Sequence, residues 1–267
     1  MTLSLLRYLL TQPEVRGVDL DAPGTVDLHR SLARGKPFLR SIYNEWYTWL
    51  AAALPEGEGR VLELGSGGGF LRDLLAETIA SDVVPSAHVE VALDGQALSF
   101  GENALRGIAM TNVLHHLPDV RLFLEEAGRC VRPGGVVAMI EPWCTPWSRL
   151  VYGKLHHEEL KVDAVDWAFE STGPLNSANI ALPWIIFERD RSRFEAEFPQ
   201  WRIELVEPFM PLRYLLSGGV SVRSVVPAWS YSMWKYVEES ATRWNRWTAM
   251  FAKIVLTRTG GAADAAH

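Results

Sequence analysis

A glycine-rich turn between an apolar strand and a short helix constrains this chain more than any other segment. Residues 61–70 read VLELGSGGGF, so a predicted strand runs directly into glycines. Glycine has no Cβ, so it adopts backbone angles closed to other residues and lets the chain approach a ligand closely. The helix predicted over 70–75 begins with amides that have no partner inside the helix. The segment is either an ordinary strand-to-helix turn or a ligand-binding loop, and its glycine density favours the loop.

The spacing of these glycines counts against a dinucleotide site. The G-x-G-x-x-G fingerprint, counted from Gly65, places its third glycine at Phe70. The pattern that fits is E-x-G-x-G-x-G, carried by Glu63, Gly65, Gly67 and Gly69. An NAD-dependent or nucleotide-sugar enzyme stays open as an alternative, which saturable binding of a nicotinamide cofactor would support.

Strands and helices alternate along much of the chain. Strands are predicted at 60–64, 78–82, 107–112, 136–141, 201–206 and 250–257. This alternation predicts a parallel sheet with helices on both faces. Ligands bind such sheets at the carboxyl ends of the strands, near the point where strand order reverses. The glycine turn, Asp82, Asp94 and Asn112 all fall at predicted carboxyl ends.

Together these motifs resemble the class I S-adenosylmethionine-dependent methyltransferases, in particular the type 11-like, small-molecule branch with an L-H-H-L-P-D segment. The resemblance is carried by the glycine turn, by MTNVLHHLPD at 110–119 and by VRPGGVVAMIEP at 131–142, in the family's order. It covers residues 61–142 well and the rest loosely. It implies a Rossmann-like, doubly wound α/β fold whose seven-stranded sheet is mostly parallel with an antiparallel last strand. It also implies S-adenosyl-L-methionine as cofactor and methyl transfer as the reaction.

The resemblance further implies which residues hold the cofactor. The glycine turn would carry the methionine end, Asp82 would bind the ribose hydroxyls, and Asp94 with Gly95 would lie at the adenine end. The cofactor-binding residues predicted in this way are Glu63, Gly65, Ser66, Gly67, Gly69, Asp82, Asp94, Gly95, Thr111 and Asn112.

Two adjacent histidines, His115 and His116, follow the fourth predicted strand. Imidazole titrates near neutrality and therefore suits removal of a proton from an acceptor. Neighbours in a turn point in different directions, so one ring is expected to face the site. His116 follows Asn112 at a spacing that resembles the catalytic histidine of phosphobase methyltransferases. His116 is therefore the predicted base and His115 the second choice, against the alternative that both only brace the next helix.

An aromatic-rich stretch after the fifth strand is predicted to form an acceptor pocket. The chain has eleven tryptophans, and residues 143–188 hold several of them between Gly and Pro breaks. Because ligand pockets are mostly apolar, a small apolar or aromatic acceptor fits, although core packing explains the same composition. The predicted acceptor contacts are Tyr43, Tyr47, Trp143 and His156.

No metal site is predicted. Residues 156–159 read HHEE, but consecutive residues of a helix do not share a face. The H-E-x-x-H arrangement of zinc hydrolases is absent.

Bulk composition narrows the possible partners. The net charge of −6 argues against an electrostatic grip on nucleic acid. Two cysteines without metal or redox spacing favour a cytoplasmic, disulfide-free protein. No apolar stretch of about 18 residues occurs, so no stable membrane insertion is expected. The predicted partner is a small-molecule acceptor.

The predicted organisation is a single domain over 1–259. It consists of an N-terminal helical extension (1–58), a cofactor-binding core (59–142), an insertion or lid (143–200) and C-terminal strands with a helix (201–259), followed by a flexible tail (260–267).

The link between the second and third predicted strands is unusually short. Only six residues separate Asp82 from Val89, whereas a parallel crossover takes a dozen or more. The third strand must therefore be very short or be reached by a nearly extended return. The amphipathic helix at 38–54 is expected to cover the sheet edge left bare, through Leu39, Ile42, Trp46 or Leu50.

A second function class stays open. A protein that binds S-adenosylmethionine without transferring its methyl group would carry the same glycine turn and acids. Binding without turnover on any acceptor would favour that alternative.

Overall fold

A computed structural model describes residues 11–16, 18, 26–67, 70–155, 158–171 and 178–260. The described strands, in chain order, are β1 (Arg60–Leu64), β2 (Thr78–Asp82), β3 (Val91–Ala92), β4 (Leu105–Thr111), β5 (Val131–Pro142), β6 (Trp201–Phe209) and β7 (Phe251–Arg258). The described α-helices are α1 (Val26–Gly35), α2 (Pro37–Ala53), α3 (Val120–Cys130), α4 (Pro146–Leu155), α5 (Leu182–Trp184), α6 (Arg191–Glu197), α7 (Arg213–Ser217), α8 (Tyr231–Ser240) and α9 (Asn245–Thr248).

The seven strands form one sheet in the order β3-β2-β1-β4-β5-β7-β6. Strands β1 to β5 pair in parallel, whereas β7 is antiparallel to both β5 and β6. This confirms the predicted doubly wound, mostly parallel α/β sheet with an antiparallel last strand. The strand order reverses between β1 and β4, so their carboxyl ends border the crevice where such sheets bind ligands.

Two predicted helices are shorter than their sequence pattern indicates. The helix expected over 70–75 is a single 3₁₀ turn, Leu71–Asp73, because β2 already begins at Thr78. The long helix expected over 226–243 is divided into the 3₁₀ turns Ala228–Ser230 and Thr242–Trp244 on either side of α8. Pro227 is extended there, and a proline also keeps the residue before it out of helical geometry.

The short third strand is confirmed. β3 contains only Val91 and Ala92, which pair with Ser81 and Asp82, and the link 83–90 contains no helix. The cover over the sheet, however, lies elsewhere than expected. Helix α2 packs its apolar stripe on the central strands instead of on the edge beside β3. The buried residues of this contact are Phe38, Leu39, Ile42, Trp46 and Leu50 on α2, and Val61, Ala109, Ala138 and Ile140 on the sheet. A two-residue strand offers little apolar surface, so the helix gains more from the broad centre.

A buried ion cluster holds α2 against the C-terminal helices. Arg213 at the start of α7 donates to Glu45 of α2 at 2.8 Å and also to Glu238 of α8. Tyr231 donates its hydroxyl to Glu45 at 2.7 Å. Because each carboxylate has several donors, the position of α2 is fixed by polar as well as apolar contacts.

Composition raised two questions, the state of the cysteines and the presence of a membrane-spanning helix. Cys130 and Cys144 are both buried and free. Among the described residues, no helix combines the length and apolar character needed to cross a membrane.

Replacement of Trp46 by alanine should destabilise the fold strongly. Trp46 is 1% exposed, and its ring centroid lies 5.0 Å from that of Phe251 and 5.7 Å from that of Tyr214. The cavity should lower the free energy of unfolding by about 3–5 kcal/mol in urea titrations. Thr48→Ala, at an exposed position of the same helix, should change it by less than about 0.5 kcal/mol. Equal effects from the two variants would contradict this account of the sheet cover.

Candidate active site

The glycine turn after β1 lies at the carboxyl edge of the sheet, and two of its glycines have different tasks. Gly65 and Gly67 both have positive φ angles, +64° and +51°. A Cβ on Gly65 would lie 2.4 Å from Val113 Cγ2, so this position requires glycine for packing against the loop after β4. A Cβ on Gly67 would meet nothing within 4 Å, so the turn is open on that side. Gly69 lies outside the described residues.

Asp82, at the end of β2, ties the turn to the sheet. Its Oδ2 accepts a hydrogen bond from Gly67 N at 3.0 Å and its Oδ1 accepts from Val84 N at 3.1 Å. Sequence analysis assigned this acid to the ribose of the cofactor. The structure adds a second task, because the carboxylate fixes the conformation of the glycine turn while each oxygen retains a further lone pair.

Four polar side chains at the ends of β1 and β4 are incompletely satisfied by the protein. Within the part of the chain that the structure describes, Ser66 Oγ and Asn112 Oδ1 have no hydrogen-bond partner, whereas Glu63 and Thr111 share the hydroxyl of Tyr47. Buried polar atoms are normally paired, so this concentration indicates a place for the polar groups of a ligand. Asn112 also has φ of +57°, a left-handed conformation that non-glycine residues adopt rarely and often at functional sites.

Glu63 is the buried acid of this group. Its burial raises the pKa of the carboxyl group to about 8. Burial, together with the charge of Glu63, raises the pKa of the neighbouring Tyr47 hydroxyl well above its usual value. A cationic group placed beside Glu63 would favour its ionised form, so this position fits an ammonium group.

Three aromatic rings close over the glycine turn. Phe70, just after the turn, lies 5.6 Å from Tyr43 and 5.5 Å from Tyr47 between ring centroids. The Arg34 guanidinium of α1 lies 4.9 Å from the Phe70 centroid. The structure thus places the two tyrosines that were predicted as acceptor contacts against Phe70, next to the turn, although Tyr47 is buried.

The two predicted histidines lie on the 3₁₀ turn Leu114–His116, directly after β4. They are held there by Glu141, near the end of β5, whose side chain is 0% exposed. Its Oε1 accepts from Val113 N and Leu114 N at 2.8 and 2.9 Å. Its Oε2 accepts from His115 Nδ1 at 2.7 Å. Sequence analysis did not single out Glu141, although an acid that closes the apolar run VVAMIEP was the available signal.

Glu158 is a second acid at the histidine pair that sequence analysis did not assign to the site. His115 Nε2 lies 3.5 Å from Glu158 Oε2, and His116 Nε2 lies 3.7 Å from Glu158 Oε1. Burial opposes protonation of His115, but the hydrogen bonds and charges of Glu141 and Glu158 outweigh it and raise the pKa of His115 to about 9. The His116 side chain is 25% exposed, so it is the more accessible of the two rings.

The insertion after β5 docks on the histidine turn through Asn179. Asn179 N donates to His115 O at 2.9 Å. Its side chain accepts from Lys161 N at 3.0 Å and donates to Lys161 O at 3.1 Å. The segment that carries Glu158 is therefore held to the histidine turn after β4 by hydrogen bonds that involve backbone groups.

The remaining predicted site residues are placed differently. A Cβ on Gly95 would lie 2.9 Å from Leu64 Cδ2, so Gly95 packs on the end of β1. Asp94 is exposed, and its Oδ1 accepts from Gln96 N at 2.9 Å. Trp143 is buried in the core that includes α3, so the structure gives it a packing role. His156 lies outside the described residues.

Residues 38–204 match the protein family described as "Methyltransferase domain". No curated protein matches the chain significantly. The matched segment extends from α2 to β6 and includes the glycine turn, the histidine pair and the insertion.

Solved methyltransferases share the fold. The geranyl diphosphate C-methyltransferase of Streptomyces coelicolor A3(2), solved with Mg²⁺, geranyl diphosphate and S-adenosyl-L-homocysteine, is 13% identical with a TM-score of 0.52. That match covers 83% of this chain and 80% of the other. A geranyl diphosphate methyltransferase solved with geranyl diphosphate and sinefungin is 14% identical with a TM-score of 0.51, over 83% of this chain and 80% of the other. Because the sequence identities are this low, the structural similarity establishes the fold alone.

The buried carboxyl group of Glu63 should make the ligand-free protein less stable as pH rises. The ordinary pKa of this group is 4.5, whereas burial holds it at about 8 in the folded state. The unfolded chain therefore loses this proton first. The free energy of unfolding should fall between about pH 4.5 and pH 8, by an amount on the order of a few kcal/mol. Glu63→Gln cannot ionise and should therefore lose the part of this decline that Glu63 contributes, while the part due to the raised pKa of His115 remains.

Urea titrations at about pH 5 and about pH 8 would measure the difference between the variant and the wild type. Glu125→Gln, at an exposed position on α3, is the matched control and should keep the wild-type decline. A Glu63→Gln variant with the same pH dependence as the wild type would show that Glu63 is ionised in the folded protein.

Proposed function

We propose, because this chain belongs to the class I S-adenosylmethionine-dependent methyltransferases, that it methylates a small apolar or aromatic acceptor at the crevice between β1 and β4. The observation that carries the proposal is the set of polar atoms beside the glycine turn that the protein leaves incompletely satisfied, together with the open side of that turn at Gly67. Such atoms are costly unless a ligand satisfies them. The arrangement supports a cofactor site at this position.

The residues at the crevice fit the polar groups of the cofactor's methionine end. Glu63, a buried acid with a raised pKa, suits the ammonium group. Ser66 and Asn112 offer a hydroxyl and an amide oxygen beside it. The open face at Gly67 leaves room for the amino-acid part of the cofactor. Asp82, already bound to the turn, is proposed for the ribose hydroxyls.

When bound, the cofactor supplies a methyl group on a positively charged sulfur, ready for in-line displacement. The protein must hold the acceptor atom against that methyl group, and this positioning supplies much of the rate gain. If the acceptor atom carries a proton, a base at hydrogen-bond distance adds about 10²–10⁴-fold.

His116 is the proposed residue for acceptor activation, and His115 supports it. His115 is fixed between Glu141 and Glu158, so its ring is committed to those carboxylates. The His116 ring lies beside it at a tilt of 40°, with ring centroids 4.2 Å apart, and keeps more access to solvent. This division agrees with the expectation that only one of two adjacent rings serves the acceptor.

The acceptor class rests on the side chains at the turn. Tyr43 and Phe70 are partly exposed aromatic rings stacked 5.6 Å apart, and Tyr47 packs against the same Phe70. Aromatic walls bury apolar or aromatic ligands well and hold them through offset stacking or edge contacts. Together with the aromatic insertion, they support an apolar or aromatic small molecule.

Gly67→Trp should abolish cofactor binding and leave the fold largely intact. A side chain at Gly67 enters the open space where the cofactor is proposed, and the positive φ costs roughly 1–2 kcal/mol. Gly134→Trp is the matched control, because Gly134 also has a positive φ and open surroundings but lies before the buried part of β5. Calorimetry should show wild type and Gly134→Trp binding S-adenosylmethionine and its demethylated product, and Gly67→Trp binding neither.

Retention of full affinity in Gly67→Trp would place the cofactor elsewhere. Saturable nicotinamide binding with no heat from S-adenosylmethionine would support the dinucleotide alternative instead.

His116→Ala should lower turnover with a suitable acceptor by roughly 10²-fold or more while cofactor affinity stays nearly unchanged. The reason is that the variant retains the glycine turn but loses the accessible imidazole at the acceptor side. Steady-state rates across pH, with affinity measured by calorimetry, would test both parts. Full turnover with an unchanged pH profile would exclude His116 from acceptor activation. Cofactor binding without turnover of any acceptor in the wild type would favour the binding-only alternative.

A further inference from the structure

Three side chains beside the proposed acceptor position present metal-ligating atoms to one another. One atom each of His115, His116 and Glu158 lies within 4.8 Å of the other two. His115 Nε2 and His116 Nε2 approach Glu158 at 3.5 and 3.7 Å. We propose that these three residues form a binding site for a divalent transition-metal ion.

The distances are close to those that an ion requires. Zinc bonds to imidazole nitrogen and carboxylate oxygen at about 2.0–2.2 Å, which places neighbouring ligand atoms of a tetrahedral site roughly 3.3 Å apart. The two approaches, which end on different oxygens of Glu158, exceed that spacing by only a few tenths of an ångström. The ligand atoms all lie within 4.8 Å of one another, so binding of an ion would require them to draw closer together.

Glu141 gives His115 the supporting contact that metal-bound histidines usually have. Metal-ligating imidazoles normally donate their other N–H to a carboxylate or carbonyl, which fixes the tautomer and the ring orientation. His115 Nδ1 donates to Glu141 Oε2 at 2.7 Å, and Glu141 is itself held by two backbone amides. This contact orients His115 Nε2 toward Glu158, where an ion would bind.

The contributing chain segments are anchored to each other. Asn179 connects the carbonyl of His115 with both backbone groups of Lys161. Ile180 N donates to Glu159 O at 3.0 Å, next to the ligating Glu158. The carboxylate is therefore brought to the histidines by a docked segment, which reduces the ordering that metal binding would require.

The donor set selects the class of ion. Imidazole nitrogens suit Zn²⁺, Fe²⁺, Ni²⁺ and Cu²⁺, whereas Mg²⁺ prefers oxygen ligands and water. Three protein ligands leave at least one coordination position open, as in catalytic zinc sites. An acceptor hydroxyl bound there would lose its proton more readily. That consequence rests on the proposed function, and in it His116 acts as a metal ligand instead of as the base. Ion binding itself does not depend on methyl transfer.

Another arrangement would explain the same contacts. A protonated His115 between Glu141 and Glu158 forms an ion-pair network without any metal. In such a network, both carboxylates would remain bound to the His115 ring when metal is added. Direct metal titration separates the two explanations.

The test uses the full chain, stripped with a chelator and titrated calorimetrically with Zn²⁺ in the absence of cofactor and acceptor. One Zn²⁺ should bind per chain and raise the thermal midpoint, whereas Mg²⁺ should give neither effect. Glu158→Gln should weaken Zn²⁺ binding by at least about 100-fold, since even supporting residues contribute about 10–100-fold. Glu159→Gln, at the exposed neighbouring carboxylate, is the matched control and should bind like the wild type. The double variant H156A/H157A, which removes the two histidines that precede Glu158 in the sequence, should also retain binding.

Three results would overturn the site: no Zn²⁺ binding by the wild type, equal losses in Glu158→Gln and Glu159→Gln, or loss of binding in H156A/H157A alone. Visible absorption of bound Co²⁺ gives an independent readout, and it should vanish in Glu158→Gln. Zinc binding without methyl transfer would contradict the proposed function and leave the metal site intact. Full methyl transfer by the stripped protein would overturn the ion's role in acceptor activation.

Discussion

The carboxylate of Glu141 is the contact on which the proposed catalytic side of this molecule depends. It is fully buried near the end of β5, where an unpaired charge would be very costly. Two amides of the turn after β4 and the ring of His115 satisfy it. Glu141 joins the end of β5 to the loop that follows the neighbouring strand β4. The histidine turn therefore cannot move independently of the sheet. The insertion then docks on that turn through Asn179, so the contact also determines where Glu158 lies.

The proposed cofactor side is organised in the opposite manner. Asp82 and the close approach of Gly65 to Val113 fix the backbone of the glycine turn. The side-chain oxygens of Ser66 and Asn112 beside it have no partner, and Glu63 is buried with a strongly raised pKa. A site that is rigid in its backbone and unsatisfied in its side chains is prepared for a ligand, because the ligand supplies the missing bonds without much ordering.

The helices around the first half of the sheet are reduced compared with an ordinary doubly wound fold. β1 is followed by a 3₁₀ turn, and the links around the two-residue β3 contain no helix. The N-terminal helix α2 compensates over the central strands, where its buried stripe meets small residues such as Ala109 and Ala138. The buried cluster of Arg213, Glu45 and Glu238 then locks this helix to the C-terminal helices. The aromatic rings near the glycine turn are consequently carried by a well-anchored element.

The sequence by itself determined the two strands that flank the glycine turn, and it indicated the family. The bounds of β1 and β2 follow from short apolar runs that end at glycine or at an acid, and the brevity of β3 follows from the few residues available between Asp82 and Val89. These features depend on residues that are close together in the sequence, so they can be predicted from the local sequence pattern. Only the tertiary structure decided the partners of the histidines, because Glu141 and Glu158 reach them from β5 and from the insertion. Only the structure placed α2 on the central strands, since burial of its apolar stripe depends on which distant surface is broad enough to receive it. Contacts between distant segments leave no periodic trace in a single sequence, and here those contacts connect the histidine pair to the rest of the site.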